Sequence, residues 1–355
     1  MSKLTPHIKS QSLTALEAWL AEHGHKPYRA KQICEWVWKH QVKDYDEMLN
    51  IPLALREALR ADFSLEHLEV AEVNGAKDTT QKFLFKLEDG RFVESVLIPA
   101  NIGKGGVQSS RQTLCVSSQV GCAYGCKFCA SGLLGLTRNL TTAEIVQQIV
   151  QAQNHSGKRI DNLVFMGMGE PMANLPNVLQ ALDIITHPWM IGIGARHITL
   201  STSGLAPQVK KLAMYPQQVR LAISLHGATD EVREQIMPVN KKWKLEELFE
   251  SLDVWVEHKK QRLTFEYILI KGINDDLEQA KLLAKHANRF GAKVNLIPYN
   301  TVEGLEWERP AMSHCQKFQR EVIAGGVTTT LRIEKGHDIN AACGQLRLRK
   351  EQSLS

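Results

Sequence analysis

Cys122, Cys126 and Cys129 stand at CxxxCxxC spacing in the stretch Cys-Ala-Tyr-Gly-Cys-Lys-Phe-Cys. This spacing brings three thiolates onto one small loop, close enough to ligate a common metal centre. Soft thiolate ligands suit zinc or an iron–sulfur cluster. Structural zinc usually takes a closed set of four ligands, often as paired CxxC units. No second CxxC and no nearby Cys/His pair occurs here. Two readings follow: a four-iron cluster with one iron left open, or a structural zinc site completed by a distant Cys or His. The missing local fourth ligand favours the cluster.

A carboxylate is the next candidate. Arg91–Ile98 reads as a strand that puts Phe92, Glu94, Val96 and Ile98 on one face. Burying Glu94 there without a partner is costly. Burial would also raise its pKa and make it a usable proton acceptor. A Glu that escapes to solvent at a sheet edge is the plainer reading of the same pattern.

The elements that must position these groups come in two styles. From Thr113 the chain alternates strands and helices, with strands expected at 113–118, 162–166, 197–202, 220–224, 264–269 and 293–297. Thr141-Thr-Ala-Glu144 is a capping box that opens one intervening helix. Six β/α units of this kind predict an α/β fold, a parallel sheet curled into a partial barrel. Ligands of such sheets bind beyond the C-terminal ends of the strands. Cys122–Cys129, Gly167–Glu170, Ser201, Ser224–His226 and Asn300 all fall at those ends, which points to one shared site. Thr328–Arg332 could add a last strand.

Before residue 113 the pattern differs. Residues up to about Val73 read as helices, with Leu16, Leu20, Ile33, Val37, Leu55 and Leu59 at helical spacing. Trp36 and Trp38 read as core rather than as a base-stacking platform. Lys26, Arg29, Lys31 and Lys39 could follow a phosphate backbone. Lys82–Leu87 and Arg91–Ile98 form a hairpin about Glu88-Asp89-Gly90. The expected organisation is a helical accessory domain at 1–80, a hairpin extension at 81–107, the α/β core at 108–336 and a tail at 337–355.

Composition sets the class. The 355 residues are 43% hydrophobic, enough for one large core with an appended domain. A formal charge of +5 is compatible with a polyanionic partner. No apolar run predicts a membrane span, and Met1–Ala15 lacks a secretory pattern. Seven cysteines, an odd number with one tight cluster, argue against a secreted disulfide framework and for a reducing cytoplasm. Cys34 and Cys315 read as small buried hydrophobes. Basic runs at Lys241-Lys-Trp-Lys244 and Lys259-Lys-Gln-Arg262 read as solvated faces.

The motifs together carry a resemblance. CxxxCxxC with an aromatic before the last Cys is similar to the radical S-adenosylmethionine (SAM) enzymes. Cys115-Val-Ser-Ser-Gln-Val-Gly-Cys122, Gly167-Met-Gly-Glu170-Pro171 and Ala341-Ala-Cys343-Gly-Gln-Leu346 narrow this. Together they resemble the RlmN/Cfr family of RNA adenosine methyltransferases, over most of the chain. Gly169-Glu170-Pro171 looks more like the RlmN branch.

The resemblance implies a partial (βα)6 radical SAM barrel with the accessory domain contacting RNA. It implies that Cys122, Cys126 and Cys129 hold a [4Fe-4S] cluster whose open iron binds SAM. Gly169, Glu170, Ser201, Ser224, Leu225, His226 and Asn300 would contact SAM. Cys343 would carry the methyl group as S-methylcysteine, Cys115 would form a transient disulfide with Cys343, and Glu94 would be the proton acceptor. The implied reaction methylates C2 of adenosine in 23S rRNA and in tRNA, 3′ of the anticodon, at two SAM per turnover. A monomer drawing electrons from a donor such as flavodoxin is implied as well. The alternatives are methylation at C8 of the same rRNA adenosine, as in the Cfr branch, and a non-catalytic RNA-binding protein with a structural metal.

Overall fold

The computed structural model describes residues 5–75, 79–100, 110–133, 135–300 and 306–332. The first of these begin with helices Leu13–Glu22, Arg29–Cys34 and Leu53–Asp62. Ser12 caps the first, its hydroxyl accepting from the Ala15 amide at 3.1 Å. Leu16, Leu20, Ile33, Val37, Leu55 and Leu59 are all buried, so the helical spacing in the sequence marks the packed faces. Trp38 is buried as well, and Trp36 packs beside it with its indole N–H on the Asn50 side chain at 2.6 Å. Both tryptophans serve the core.

The strands, in chain order, are β1 (Glu69–Gly75), β2 (Gln81–Lys86), β3 (Phe92–Pro99), β4 (Gln112–Cys115), β5 (Gln119–Gly121), β6 (Leu136–Asn139), β7 (Asn162–Phe165), β8 (Ile198–Thr202), β9 (Arg220–Ser224), β10 (Thr264–Leu269), β11 (Lys293–Pro298) and β12 (Thr329–Leu331). All but β5 and β6 join one sheet in the order β1-β2-β3-β4-β7-β8-β9-β10-β11-β12. From β4 to β12 the pairings are parallel, and from β1 to β4 antiparallel. Helices cross between the parallel strands, as right-handed β–α–β connections require. The expected α/β partial barrel is therefore present, with β12 as its last strand.

One expectation needs correcting. The helical reading ran to Val73, but Glu69–Gly75 is a strand paired antiparallel with β2. Val70 and Val73 are three apart, a helical spacing, and they pair with Phe85 and Phe83 only because the register shifts between Val70 and Glu72. The hairpin about Glu88-Asp89-Gly90 forms as read, with the Leu87 amide donating to the Arg91 carbonyl at 2.8 Å.

The helix Thr142–Ser156 lies behind the sheet and starts at the predicted capping box. Its Gln148 reaches through to the strand ends, donating to the Ser117 carbonyl at 3.0 Å and accepting from the Ser117 amide at 2.9 Å. A fully buried amide satisfied in this way fixes the exit of β4, where the chain turns toward the cysteine loop. Cys34 and Cys315 are buried thiols away from that loop.

Candidate active site

The loop that carries the three cysteines is closed at its base by a short antiparallel pair, β5 with β6. The Cys122 amide donates to the Gly135 carbonyl at 2.9 Å. Inside the loop, the Cys129 amide donates to the Cys126 carbonyl and the Gly132 amide to the Cys129 carbonyl, both at 3.0 Å. The Lys127 amide reaches the Ile236 carbonyl at 3.0 Å, which anchors the loop to the far wall. All three cysteines line a cavity of about 320 Å³.

The cavity suits a metal centre. Burial pushes the Cys122 thiol up to about 12, with Glu170 and Cys129 adding to the rise. Cys126 is raised too, by burial first and then by Cys129 and Cys122. Three thiolates side by side in a half-buried wall require a cation to compensate them. Among the described residues, no three His, Cys, Asp or Glu side chains converge on the position of a single ion.

Opposite the loop, the turn after β7 depends on two glycines. Gly169 has φ +97°, and a Cβ there would come within 2.5 Å of the Gln119 side chain. A Cβ on Gly167 would meet the Val116 carbonyl oxygen at 2.6 Å. Glu170 is buried at the edge of the cavity. Its amide donates to Gln119 Oε1 at 2.7 Å, and its carboxylate accepts from the amides of Ser203 at 2.7 Å and Met172 at 3.0 Å. Burial raises its pKa, and those amide hydrogen bonds oppose the rise. Glu170 thus ties the end of β7 to the end of β8 and still presents a carboxylate edge to the cavity.

Ser201 and Ser224 line the same cavity from the ends of β8 and β9. So does His226, which sits at φ 55°, in the left-handed region. Its Nδ1 accepts from the Ile268 amide at 3.1 Å. Burial, reinforced by Arg233, lowers its pKa to about 3. The ring is therefore neutral, and with Nδ1 accepting, the proton belongs on Nε2. Leu225 and Asn300 are not among the residues lining the cavity. The Leu225 amide donates to the Glu266 carbonyl, and its own carbonyl accepts from Gly227 and from Arg233. Asn300 lies just past β11 with its side-chain oxygen accepting from Arg309.

Strand register places the remaining candidates. Lys82 pairs with Val96, Val96 with Cys115, Cys115 with Val164, and Val164 with Thr199. Two residues along β8, Ser201 pairs with Ala222; two along β9, Ser224 pairs with Glu266, which pairs with Asn295. Paired residues and residues two apart share a face. Glu94, Cys115, Ser201, Ser224 and Glu266 therefore share one face of the sheet; Ser201, Ser224 and Glu266 line the cavity, whereas Glu94 and Cys115 are not among its lining residues. Glu94 is buried and ion-paired with Lys82 at 2.8 Å, and neither side chain has exposed surface. The solvent-edge reading of Glu94 is excluded by this burial. Cys115 is a buried free thiol. Burial pushes it up to about 11, while the Met166 amide, Arg332 and Lys82 pull the other way.

The Glu94–Lys82 pair makes a stability prediction. Removing the ammonium takes a directly bonded charge partner away from a buried carboxylate, which costs up to about 3–5 kcal/mol. Lys82→Met should lower the unfolding free energy by that order in a denaturant titration, and Lys82→Arg by much less. An unchanged midpoint in Lys82→Met would contradict the burial of the pair.

The sequence reading passed over Lys82, Glu266 and Arg332. Arg332 and Glu266 both line the cavity. A charge inside an otherwise apolar strand was the available signal, as in Thr264-Phe-Glu-Tyr-Ile-Leu269. Lys82 gives no such signal, because a lysine at a strand end reads as solvent-facing. Of the two basic runs, Lys259 is structural, donating to the carbonyls of Tyr215 and Gln217. Lys241, Lys242 and Lys244 are exposed on the segment that follows the cavity residue Met237.

Comparison with known proteins agrees with this geometry. Residues 116–284 match the radical SAM superfamily and residues 8–65 match the ribosomal RNA large subunit methyltransferase N-terminal domain. A probable dual-specificity RNA methyltransferase RlmN from Akkermansia muciniphila is 57% identical over 99% of this chain and 98% of its own length. The chain belongs to the RlmN family. The dual-specificity RNA methyltransferase RlmN of Geotalea uraniireducens is 42% identical over 98% of both chains. A crystal structure of a radical SAM methyltransferase from Sphaerobacter thermophilus superposes with TM-score 0.86 at 38% identity, covering 96% of this chain and 98% of that one.

Family membership makes the protein a SAM-dependent methyltransferase of the radical SAM class, with a [4Fe-4S] cluster and SAM as cofactors. The helices at 8–62 fall within the segment matched to the N-terminal domain of the family. The tail at 337–355, with Cys343, lies outside the described residues. No helix among the described residues is long and apolar enough to cross a membrane.

Proposed function

We propose that the protein methylates C2 of adenosine in 23S rRNA, at the peptidyl transferase centre, and in tRNA, 3′ of the anticodon. The observation that carries this reading is the shared face: Glu94 and Cys115 project from the same wall of the barrel as the SAM-site serines. Relatives named as dual-specificity RNA methyltransferases support the choice of RNA. Gly169-Glu170-Pro171 supports the RlmN branch over the Cfr branch.

Adenine C2 is electron-poor and is no nucleophile, so direct displacement of a SAM methyl by it is unfavourable. The cluster and SAM, when bound, supply radical chemistry that can form a carbon–carbon bond there. The chain supplies the rest. Cys122, Cys126 and Cys129 hold the cluster. Gly169 and Gly167 let the backbone come close to SAM, and Glu170 offers a carboxylate edge to its amino group. Ser201, Ser224 and the Nε2–H of His226 offer hydrogen bonds to its ribose and adenine. Leu225 and Asn300, at the ends of β9 and β11, would contact SAM as well.

Cys343 first takes a methyl from one SAM by displacement at sulfur, a step for which a thiolate is well suited. Glu94, held in place by Lys82, takes the proton from C2 once the new bond has formed. Cys115, as thiolate, then attacks the sulfur of Cys343 and leaves a disulfide. The electron pair of the broken sulfur–carbon bond stays with the new carbon, which takes a proton to become the methyl group. The one remaining electron would pass to the cluster when it is bound. The accessory domain follows the phosphate backbone. The enzyme acts in the cytoplasm as a monomer, with an electron donor of the flavodoxin type.

Glu94→Gln keeps the shape of the side chain and removes the base. Product formation should fall by at least about a hundredfold, while reductive SAM cleavage changes little. Wild-type turnover in this variant would reduce Glu94 to a structural partner of Lys82. The reaction as a whole is tested by incubating the reconstituted enzyme with methyl-labelled SAM and unmodified rRNA or tRNA. Nucleoside digestion should give 2-methyladenosine. Label in 8-methyladenosine would move the enzyme to the Cfr branch, and no label in RNA would favour a non-catalytic RNA-binding role.

A further inference from the structure

Glu266 sits in mid-strand on β10 and is only 5% exposed, yet its carboxylate is incompletely bonded. Oε1 accepts from the Asn295 side-chain amide at 2.9 Å. Oε2 has no hydrogen-bond partner among the described residues. Leaving a buried carboxylate oxygen unpaired is costly. Glu266 also lines the cavity that the cluster cysteines line. The unpaired oxygen is thus an acceptor waiting in the site itself.

Its surroundings have the character of a nucleoside subsite. Ser224 and Asn295 flank Glu266 in register on the neighbouring strands, giving a short polar row. Two residues further along the same face, Ile268 and Ile297 pair with each other and line the cavity as an apolar step. A purine ring can lie on the isoleucines while a polar edge meets the row. Burial raises the pKa of Glu266, and the Asn295 hydrogen bond and the charge of Arg332 oppose that rise, both favouring the accepting form.

We propose that Glu266 is a further ligand-binding residue whose Oε2 accepts a hydrogen bond from an adenosine moiety, through a ribose hydroxyl or the exocyclic amine. This rests on the proposed function, in which both SAM and the RNA bring an adenosine to the cavity. Glu266→Gln can keep the Asn295 hydrogen bond through its carbonyl and turn its amide toward the ligand, replacing an acceptor with a donor. Glu266→Leu removes both.

The test uses cluster-loaded enzyme and two probes, SAM itself and an unmodified tRNA transcript. SAM affinity is read by equilibrium binding, and the tRNA by the KM for methylation. Iron content and thermal melting report the fold, and Glu266→Gln alone decides if Glu266→Leu does not load. A weakening of SAM binding by roughly tenfold or more in the variants assigns the contact to SAM. Unchanged SAM binding with a comparable rise in the KM for tRNA assigns it to the RNA adenosine. Wild-type values for both probes would overturn the proposal. A wild-type-like Glu266→Gln beside an impaired Glu266→Leu would also overturn it, because a donor would then serve. Failure of the wild-type enzyme to methylate the transcript counts against the proposed function instead, since SAM binding is read without RNA.

Discussion

Replacing Cys122, Cys126 or Cys129 by alanine is expected to abolish SAM cleavage and to strip the protein of cluster iron, while most of the fold survives. The three thiols sit on a loop that is closed by β5 and β6 and anchored at Ile236, so the loop does not depend on the metal for its backbone bonds. With one thiolate gone, one iron loses its protein ligand, and two ligands do not retain a four-iron cluster. Iron and sulfide analysis of anaerobically purified protein checks the first half. Release of 5′-deoxyadenosine under reducing conditions checks the second. Full iron content and SAM cleavage in a triple alanine variant would refute the assignment of the loop.

Cys115→Ala is expected to give a different failure. Cys343 is still able to accept a methyl group, and attack on adenine still proceeds. The thioether that then joins Cys343 to the RNA has no thiol to break it. The expected product is a covalent protein–RNA adduct, seen as a shifted band that ribonuclease removes. Cys343→Ala should give neither adduct nor methylated RNA. If both cysteines were ordinary core thiols, both variants would stay active or unfold and no adduct would form.

Much of the site is legible in the sequence because its motifs sit where parallel strands end. Cys122–Cys129, Gly167–Glu170, Ser201 and Ser224–His226 could be assigned to one mouth of a barrel from the alternation of strands and helices alone. The rest depends on contacts between distant segments. By pattern Glu94 reads more plainly as an edge residue, until Lys82, on the neighbouring strand, is seen at 2.8 Å from its buried carboxylate. Lys82 itself looks solvent-facing, since nothing local says that the antiparallel strands β1–β3 extend the barrel sheet. β1 is hidden because the register shift between Val70 and Glu72 leaves its two valines three residues apart, without a strand period. β5 and β6 are too short for any period to show, and they form because the two ends of the cysteine loop must meet. The tautomer of His226 and the unpaired oxygen of Glu266 are consequences of three-dimensional pairing and have no sequence signature of their own.

The most direct test of the account is nucleoside mass spectrometry of 23S rRNA and tRNA from a strain lacking this chain, beside the same strain with the gene restored. The account predicts that 2-methyladenosine disappears from both RNAs in the deletion, returns with the wild-type chain, and does not return with Cys343→Ala. Unchanged 2-methyladenosine in the deletion strain, with no other RNA-modifying gene to explain it, would contradict the account.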